Sequence, residues 1–194
     1  MRLAILLSGR GSNFEAIHRA FAGQIVCVIT NRPEARGFAR ARELGLPAHA
    51  IDHRKFPTRE AHEEEVLRVL AEAEPDFICL AGYMRLLSPA FVAAYPHRIL
   101  NIHPSLLPAF PGVDAQAQAV AYGVKVSGCT VHFVDENLDA GPIVVQRIVE
   151  VRDDDSADAL AARILEQEHI AYVEALIKLS TRTWRIDGRR VIFE

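Results

Sequence analysis

Three short runs carry residue types that could do chemistry: Asn101-Ile102-His103-Pro104-Ser105, whose Asn–His pair suits acyl transfer, Leu138-Asp139-Ala140-Gly141-Pro142 and Ser8-Gly9-Arg10-Gly11-Ser12-Asn13. Asn101 and His103 are two apart, and on an extended strand end such a pair projects to one side. Pro104 keeps His103 extended. A carboxamide can donate hydrogen bonds to the oxyanion of a tetrahedral intermediate. An imidazole, with a free pKa of about 6.5, can move a proton near neutrality. Taken alone, a histidine at a strand end also has a purely structural reading. Asp139 taken alone reads as a turn aspartate; its interest lies in a return to His103 across adjacent strands, where a carboxylate would stabilise an imidazolium.

The glycine-rich run reads as a strand-to-helix turn. Its amides and the following helix N-terminus favour an anion such as phosphate, although a tight turn alone has the same look. A dinucleotide fingerprint needs glycine or alanine where Phe14 stands, and the Walker lysine is absent, so one phosphate is the better match. Eight histidines are present without His-Glu-x-x-His or another metal spacing, so no metal site is expected. No Gly-x-Ser-x-Gly elbow occurs. Glu63-Glu64-Glu65 and Asp153-Asp154-Asp155 read as solvated surface. Arg59 and Arg85 are free to bind carboxylates if they face a ligand.

The elements that must position these residues follow from the pattern. Leu3 to Leu7, Gln24 to Thr30, Ala48 to Ile51, Phe77 to Ala81 and Arg98 to Ile102 read as buried strands. Helices are expected at Phe14 to Ala22 behind the caps Ser12 and Asn13, at Glu34 to Leu44, at Arg59 to Ala73 behind Thr58, and in a short turn from Ser88-Pro89. This alternation predicts right-handed crossovers and a parallel sheet. After His103 an irregular proline-rich loop leads to two antiparallel strands, Val126 to Val134 and Ile143 to Val151. A long helix, Ser156 to Leu179, and a hairpin, Trp184 to Phe193, close the chain. The expected class is α/β: a Rossmann-like, open, mostly parallel sheet with helices on both faces and antiparallel strands added in the C-terminal half. In such sheets ligands bind beyond the carboxyl ends of the strands, where the runs at Ser8 to Asn13, Gly82 to Leu87 and Asn101 to Ser105 fall.

At 194 residues the chain suits one domain, 1–194, with a nucleotide-binding-like half at 1–100 and a more β-rich half at 101–194. A net charge of −3 gives no basic footprint for nucleic acid. No apolar run approaches the roughly 20 residues of a membrane span. Cys27, Cys79 and Cys129 lie apart in apolar runs and read as buried thiols of a soluble, cytoplasmic protein.

Together, Ser8-Gly9-x-Gly11-Ser12-Asn13, Ala81-Gly82-Tyr83-Met84-Arg85-Leu86-Leu87-Ser88-Pro89, Asn101-Ile102-His103-Pro104-Ser105-Leu106-Leu107-Pro108 and Leu138-Asp139-x-Gly141-Pro142-Ile143 closely resemble the folate-dependent formyltransferase superfamily. The resemblance runs in order from residue 1 to about 179, and the Gly-Ser-Asn loop points to its glycinamide ribonucleotide branch. It implies formyl transfer from 10-formyltetrahydrofolate, as co-substrate, to the ribonucleotide amine in purine biosynthesis. It further implies His103 as proton donor, Asn101 as the group polarising the formyl oxygen, and Asp139 as the carboxylate that raises the His103 pKa and relays protons through water. Gly11, Ser12 and Asn13 would hold the phosphate, and Glu168 would contact the ribonucleotide. Met84, Arg85, Leu86 and Leu87 would line the folate pocket with backbone groups beside Asn101, and Arg59 would face the glutamate tail. No metal, nucleic acid or membrane is implied, and the assembly expected is a monomer or weak homodimer. One position departs: Asp114 stands where the family usually has histidine, a second carboxylate able to favour charged His103 or crowd Asp139. The rival within the superfamily is a formyltetrahydrofolate hydrolase or another amine formyltransferase; outside it, a silent nucleotide-binding module, against which the intact Asn101, His103 and Asp139 argue.

Overall fold

The computed structural model describes all 194 residues, in two compact units, Met1–Leu100 and Asn101–Glu194. In the first, β1 (Leu3–Leu7) is a run of five apolar residues with every side chain buried. That suits a parallel strand covered on both faces. It pairs in parallel with β2 (Ile25–Thr30) on one side and β4 (Phe77–Leu80) on the other, and β3 (Ala48–Ala50) extends the order to β3-β2-β1-β4.

The intervening helices are α1 (Ser12–Phe21), α2 (Arg36–Glu43), α3 (Arg59–Ala73) and α4 (Pro89–Ala94). Thr58 caps α3 by accepting the Ala61 N–H at 3.1 Å, and Ser88 caps α4 from Phe91 at 3.2 Å, with Pro89 at the first helical position. The expected cap of α1 is corrected. Gly11, in the left-handed region at φ +81°, occupies that position, and no side chain caps the helix. A Cβ at residue 11 would lie 2.6 Å from the Gly37 Cα, and Gly37 donates its N–H to the Gly9 carbonyl at 3.0 Å. Glycine is therefore required twice over, by backbone conformation and by close approach. Helix α2 starts two residues later than expected because Ala35 N–H bonds Arg32 O at 3.0 Å and closes a turn first.

Strand β5 (Ile99–His103) carries the chain from the first unit into the second. There β6 (Val126–Phe133) and β7 (Ile143–Glu150) pair antiparallel, and the hairpin of β8 (Trp184–Asp187) and β9 (Arg190–Phe193) continues the order β6-β7-β9-β8. Helix α6 (Ala157–Thr181), capped by Ser156, packs on β6 and β7 through Leu160, Ile164, Ala171, Ala175 and Leu179. Helix α5 (Ala115–Tyr122) was not expected. Proline and glycine dominate the reading from Pro104 to Gly112, yet the following AQAQAVAY is strongly helix-favouring and ends on Gly123 at φ +79°.

The acidic runs are also corrected in part. Glu64, Asp153 and Asp154 are exposed, but Glu63 is buried and accepts the Ser88 N–H at 2.9 Å. It shares a face of α3 with Val66 and Leu70, at i+3 and i+7. The Asp155 carboxylate pairs with Arg163 and accepts the Arg152 N–H at 2.8 Å. All three cysteines are buried and none forms a disulfide, and burial pushes the Cys27 and Cys129 thiols up to about 12. No helix is long and apolar enough to cross a membrane.

Candidate active site

The β5 strand delivers Asn101 and His103 to one side, as their spacing requires. His103 is buried. Its Nε2 lies 2.8 Å from the Phe110 carbonyl. A carbonyl only accepts, so Nε2 carries a proton. On the other edge of the ring, Nδ1 lies 3.3 Å from Asp139 Oδ2. The histidine thus stands between two acceptors, and the neutral ring can donate to only one of them. With Nε2–H committed to Phe110, Nδ1 is the nitrogen that can gain and lose a proton against Asp139.

Asp139 occupies the left-handed region at φ +50°. Its Oδ2 also accepts the Gly112 N–H at 2.8 Å. Phe110 (φ +53°) and Gly112 (φ +82°) are left-handed as well. The turn at 110–112 therefore presents a carbonyl to His103 and, two residues on, an amide to Asp139. A bulky residue such as Phe110 adopts this backbone only under tertiary constraint, and the constraint is visible. On β6, Thr130 donates to the Ser105 carbonyl at 2.7 Å and accepts the Leu107 N–H at 3.0 Å. Gln146 on β7 donates to the Leu107 carbonyl at 2.9 Å. Ser105 bonds the Ala109 carbonyl. The loop after β5 is stitched down residue by residue before it reaches Phe110.

One member of the site was absent from the sequence reading. His132, buried on β6, places Nδ1 2.8 Å from the Phe133 carbonyl and Nε2 3.3 Å from Asn101 Nδ2. Burial pushes its pKa below the usual imidazole value, outweighing the nearby Asp139. Neutral His132 has its proton on Nδ1 and an accepting lone pair on Nε2. That assigns the Asn101 amide: Nδ2 faces His132 and spends one N–H there, leaving the second free. Asp139 Oδ1 is 3.8 Å from the same Nε2, beyond hydrogen-bonding range. Asn101 and Asp139 thus both lie beside one buried imidazole, and Asp139 in turn faces His103. The only sequence signal for His132 was its place inside the apolar Val131-His132-Phe133.

The remaining expected residues are distributed as follows. Gly11, Ser12 and Asn13 form the entry to α1, with Asn13 buried. Met84 to Leu87 follow β4, with Met84 and Leu86 exposed. Arg59 opens α3, half exposed, and pairs only with neighbouring Glu60. Glu168 lies on the inner face of α6, buried, and its charge helps raise Cys129 on β6. Asp114 stands exposed before α5, and its side chain makes no hydrogen bond or ion pair. No cluster of three or more His, Cys, Asp or Glu side chains is arranged to hold a metal ion.

The family described as Formyl transferase matches residues 1–176. Over its whole length the chain is 40% identical to the phosphoribosylglycinamide formyltransferase of Escherichia coli (strain K12), covering 91% of that protein. It is 46% identical, over 94% of its length, to the trifunctional purine biosynthetic protein adenosine-3 of Drosophila melanogaster, of which it spans 14%. The crystal structure of glycinamide ribonucleotide transformylase 1 from Symbiobacterium toebii superimposes with a TM-score of 0.96 at 43% identity, covering all of this chain and 93% of that one. The chain belongs to the formyl transferase family.

Proposed function

We propose that the chain transfers the formyl group of 10-formyltetrahydrofolate to the amine of glycinamide ribonucleotide, giving formylglycinamide ribonucleotide and tetrahydrofolate in purine biosynthesis. The observation that carries this reading is His103 held between Phe110 O (2.8 Å) and Asp139 Oδ2 (3.3 Å), with the oriented Asn101 amide on the same strand. The folate supplies an activated formyl carbon. The bond to the acceptor amine forms there, the bond to the folate nitrogen breaks, and one proton passes from the amine to that nitrogen.

The protein's part is to stabilise charge and move that proton. The free N–H of Asn101 Nδ2 donates to the formyl oxygen as it becomes an oxyanion, and His132 pre-sets the amide so that no reorientation is needed. His103 Nδ1 gives the proton to the departing nitrogen, and Asp139 stabilises the imidazolium and relays protons through water. Gly11, Ser12 and Asn13 take the ribonucleotide phosphate at a helix N-terminus, with Glu168 as a further ribonucleotide contact. Met84 to Leu87 take the folate, and Arg59 its glutamate tail. Three buried cysteines, none in a disulfide, suit a reducing compartment, and the cytoplasm is the proposed location.

The test is to incubate the protein with 10-formyltetrahydrofolate, with and without glycinamide ribonucleotide, and follow tetrahydrofolate. Product should require the ribonucleotide. Equal turnover without it would assign a hydrolase, and no turnover in either case would leave a binding module.

A further inference from the structure

We propose that Ser8 is a positioning residue that holds the folate-facing Met84 segment against the β1–α1 loop, on which the phosphate is read to bind; this rests on the reading of those two loops given above. Strands β1 and β4 are parallel neighbours, so the chain leaves both at the same edge of the first unit. Ser8, the first residue after β1, is 4% exposed. Its N–H donates to the Gly82 carbonyl at 3.0 Å. Its hydroxyl accepts the Met84 N–H at 2.8 Å and donates to Asn31 Oδ1 at 2.5 Å. A serine hydroxyl has a single proton, so the direction is fixed: Met84 amide to Ser8 oxygen, Ser8 proton to Asn31.

The far end of this chain is anchored. Asn31, 2% exposed, directly follows β2, and its carbonyl accepts His53 Nδ1–H at 2.9 Å from the short turn after β3. The segment it holds has little of its own to keep it in place. Met84 is 68% and Leu86 64% exposed, so these two side chains do not fix the backbone by packing, and Tyr83 and Leu87 beside them are only half-buried. Its other end is pinned by Glu63, which accepts the Ser88 N–H at 2.9 Å. The Met84 segment is therefore suspended between two buried polar anchors, and Ser8 is the one shared with the β1–α1 loop. The Met84 N–H, consumed by Ser8, is unavailable to folate; the groups left to face it are the Met84 carbonyl and the backbone of Arg85 to Leu87.

A neutral hydrogen bond of this kind, lost with its amide left unpaired, corresponds to about a tenfold change in an equilibrium. In the full chain, Ser8→Ala should raise KM for 10-formyltetrahydrofolate about tenfold while kcat and KM for the ribonucleotide stay within about twofold. An equal loss in every parameter, or no change in any, overturns the proposal. A second measurement needs neither a variant nor activity: amide hydrogen exchange by NMR on the unsubstituted protein. The Met84 amide should exchange about a hundredfold more slowly than those of Arg85 and Leu86. Exchange as fast as its neighbours overturns the proposal even if Ser8→Ala fails to fold. Absence of turnover in the unsubstituted protein would sink the assigned reaction, and the exchange result would still decide whether Ser8 holds the Met84 amide.

Discussion

Asn101 turns its amide nitrogen to His132 Nε2 at 3.3 Å, and His132 commits its other nitrogen to the Phe133 carbonyl at 2.8 Å. The pair converts a freely flipping carboxamide into a donor of known direction. His132 touches no reacting atom in the proposed reaction, so its contribution is orientation. His132→Ala should lower kcat by about tenfold to a hundredfold, less than the roughly 10²- to 10³-fold cost of removing an oxyanion donor outright, with both KM values nearly unchanged. Steady-state kinetics with each substrate varied in turn reads this directly. An unchanged kcat would remove His132 from the mechanism.

Asp139, the carboxylate proposed to stabilise charged His103, invites a cleaner substitution than most. It sits at φ +50°, a conformation asparagine tolerates nearly as well as aspartate. Asp139→Asn therefore removes charge while sparing the turn. Turnover should fall by about 10²- to 10⁴-fold, as when a general acid–base pair is broken. His103→Ala should do the same. Both variants should retain ribonucleotide and folate binding by calorimetry, and near-normal turnover in either would remove the assigned role.

The sequence carried most of the frame and part of the site, for a physical reason in each case. Buried parallel strands announce themselves as unbroken apolar runs, so Leu3 to Leu7 is legible to the residue. Thr58 and Ser88 announce helix starts because capping is local chemistry. Ser12 and Asn13 read as caps of α1, but Gly11 holds that position, and one of its requirements is non-local: it must clear Gly37, 26 positions away. Asn101 and His103 were legible as a pair from a spacing of two. Phe110 and Gly112 act through a backbone carbonyl and amide, which any residue could supply. His132 was hidden because one polar side chain in an apolar strand more often reads as a satisfied core residue. The acidic run at Glu63 shows the reverse error, a charged triplet with its first member turned inward.

Two buried histidines give the protein an acid-sensitive stability. Burial lowers the pKa of both His62 and His132 from the ordinary 6.5. A depressed histidine is neutral when folded, while the unfolded chain binds the proton near 6.5. The unfolded state therefore takes up more protons once pH drops below that value, and stability present above it is lost as pH falls toward the folded values. The thermal midpoint should decrease between pH 7.5 and pH 5.5, before most carboxylates titrate. His62→Phe should flatten this limb. His62 has one bond, Nε2 to the Ile51 carbonyl at 3.0 Å, its Nδ1 is unpaired, and its ring packs edge-on to Phe56. A midpoint independent of pH over this range would contradict the assignment.

Gly11 joins fold and site most tightly, because the loop proposed to bind phosphate depends on a glycine backbone. Gly11→Ala meets two penalties. The residue must hold φ +81°, which costs an L side chain about 1–2 kcal/mol. Its new methyl would also stand 2.6 Å from the Gly37 Cα, backbone that cannot move without disturbing the Gly37 N–H bond to Gly9. The variant should lose at least about 2 kcal/mol of stability in urea titration. Inorganic phosphate should raise the thermal midpoint of the unsubstituted protein by mass action and should not raise that of the variant. Gly45→Ala is the control: it shares a positive φ of 70° but has no atom within 4 Å of the added Cβ, so it should show the conformational cost alone and keep the phosphate response. Loss of that response in both variants, or in neither, would detach phosphate binding from the Gly11 loop.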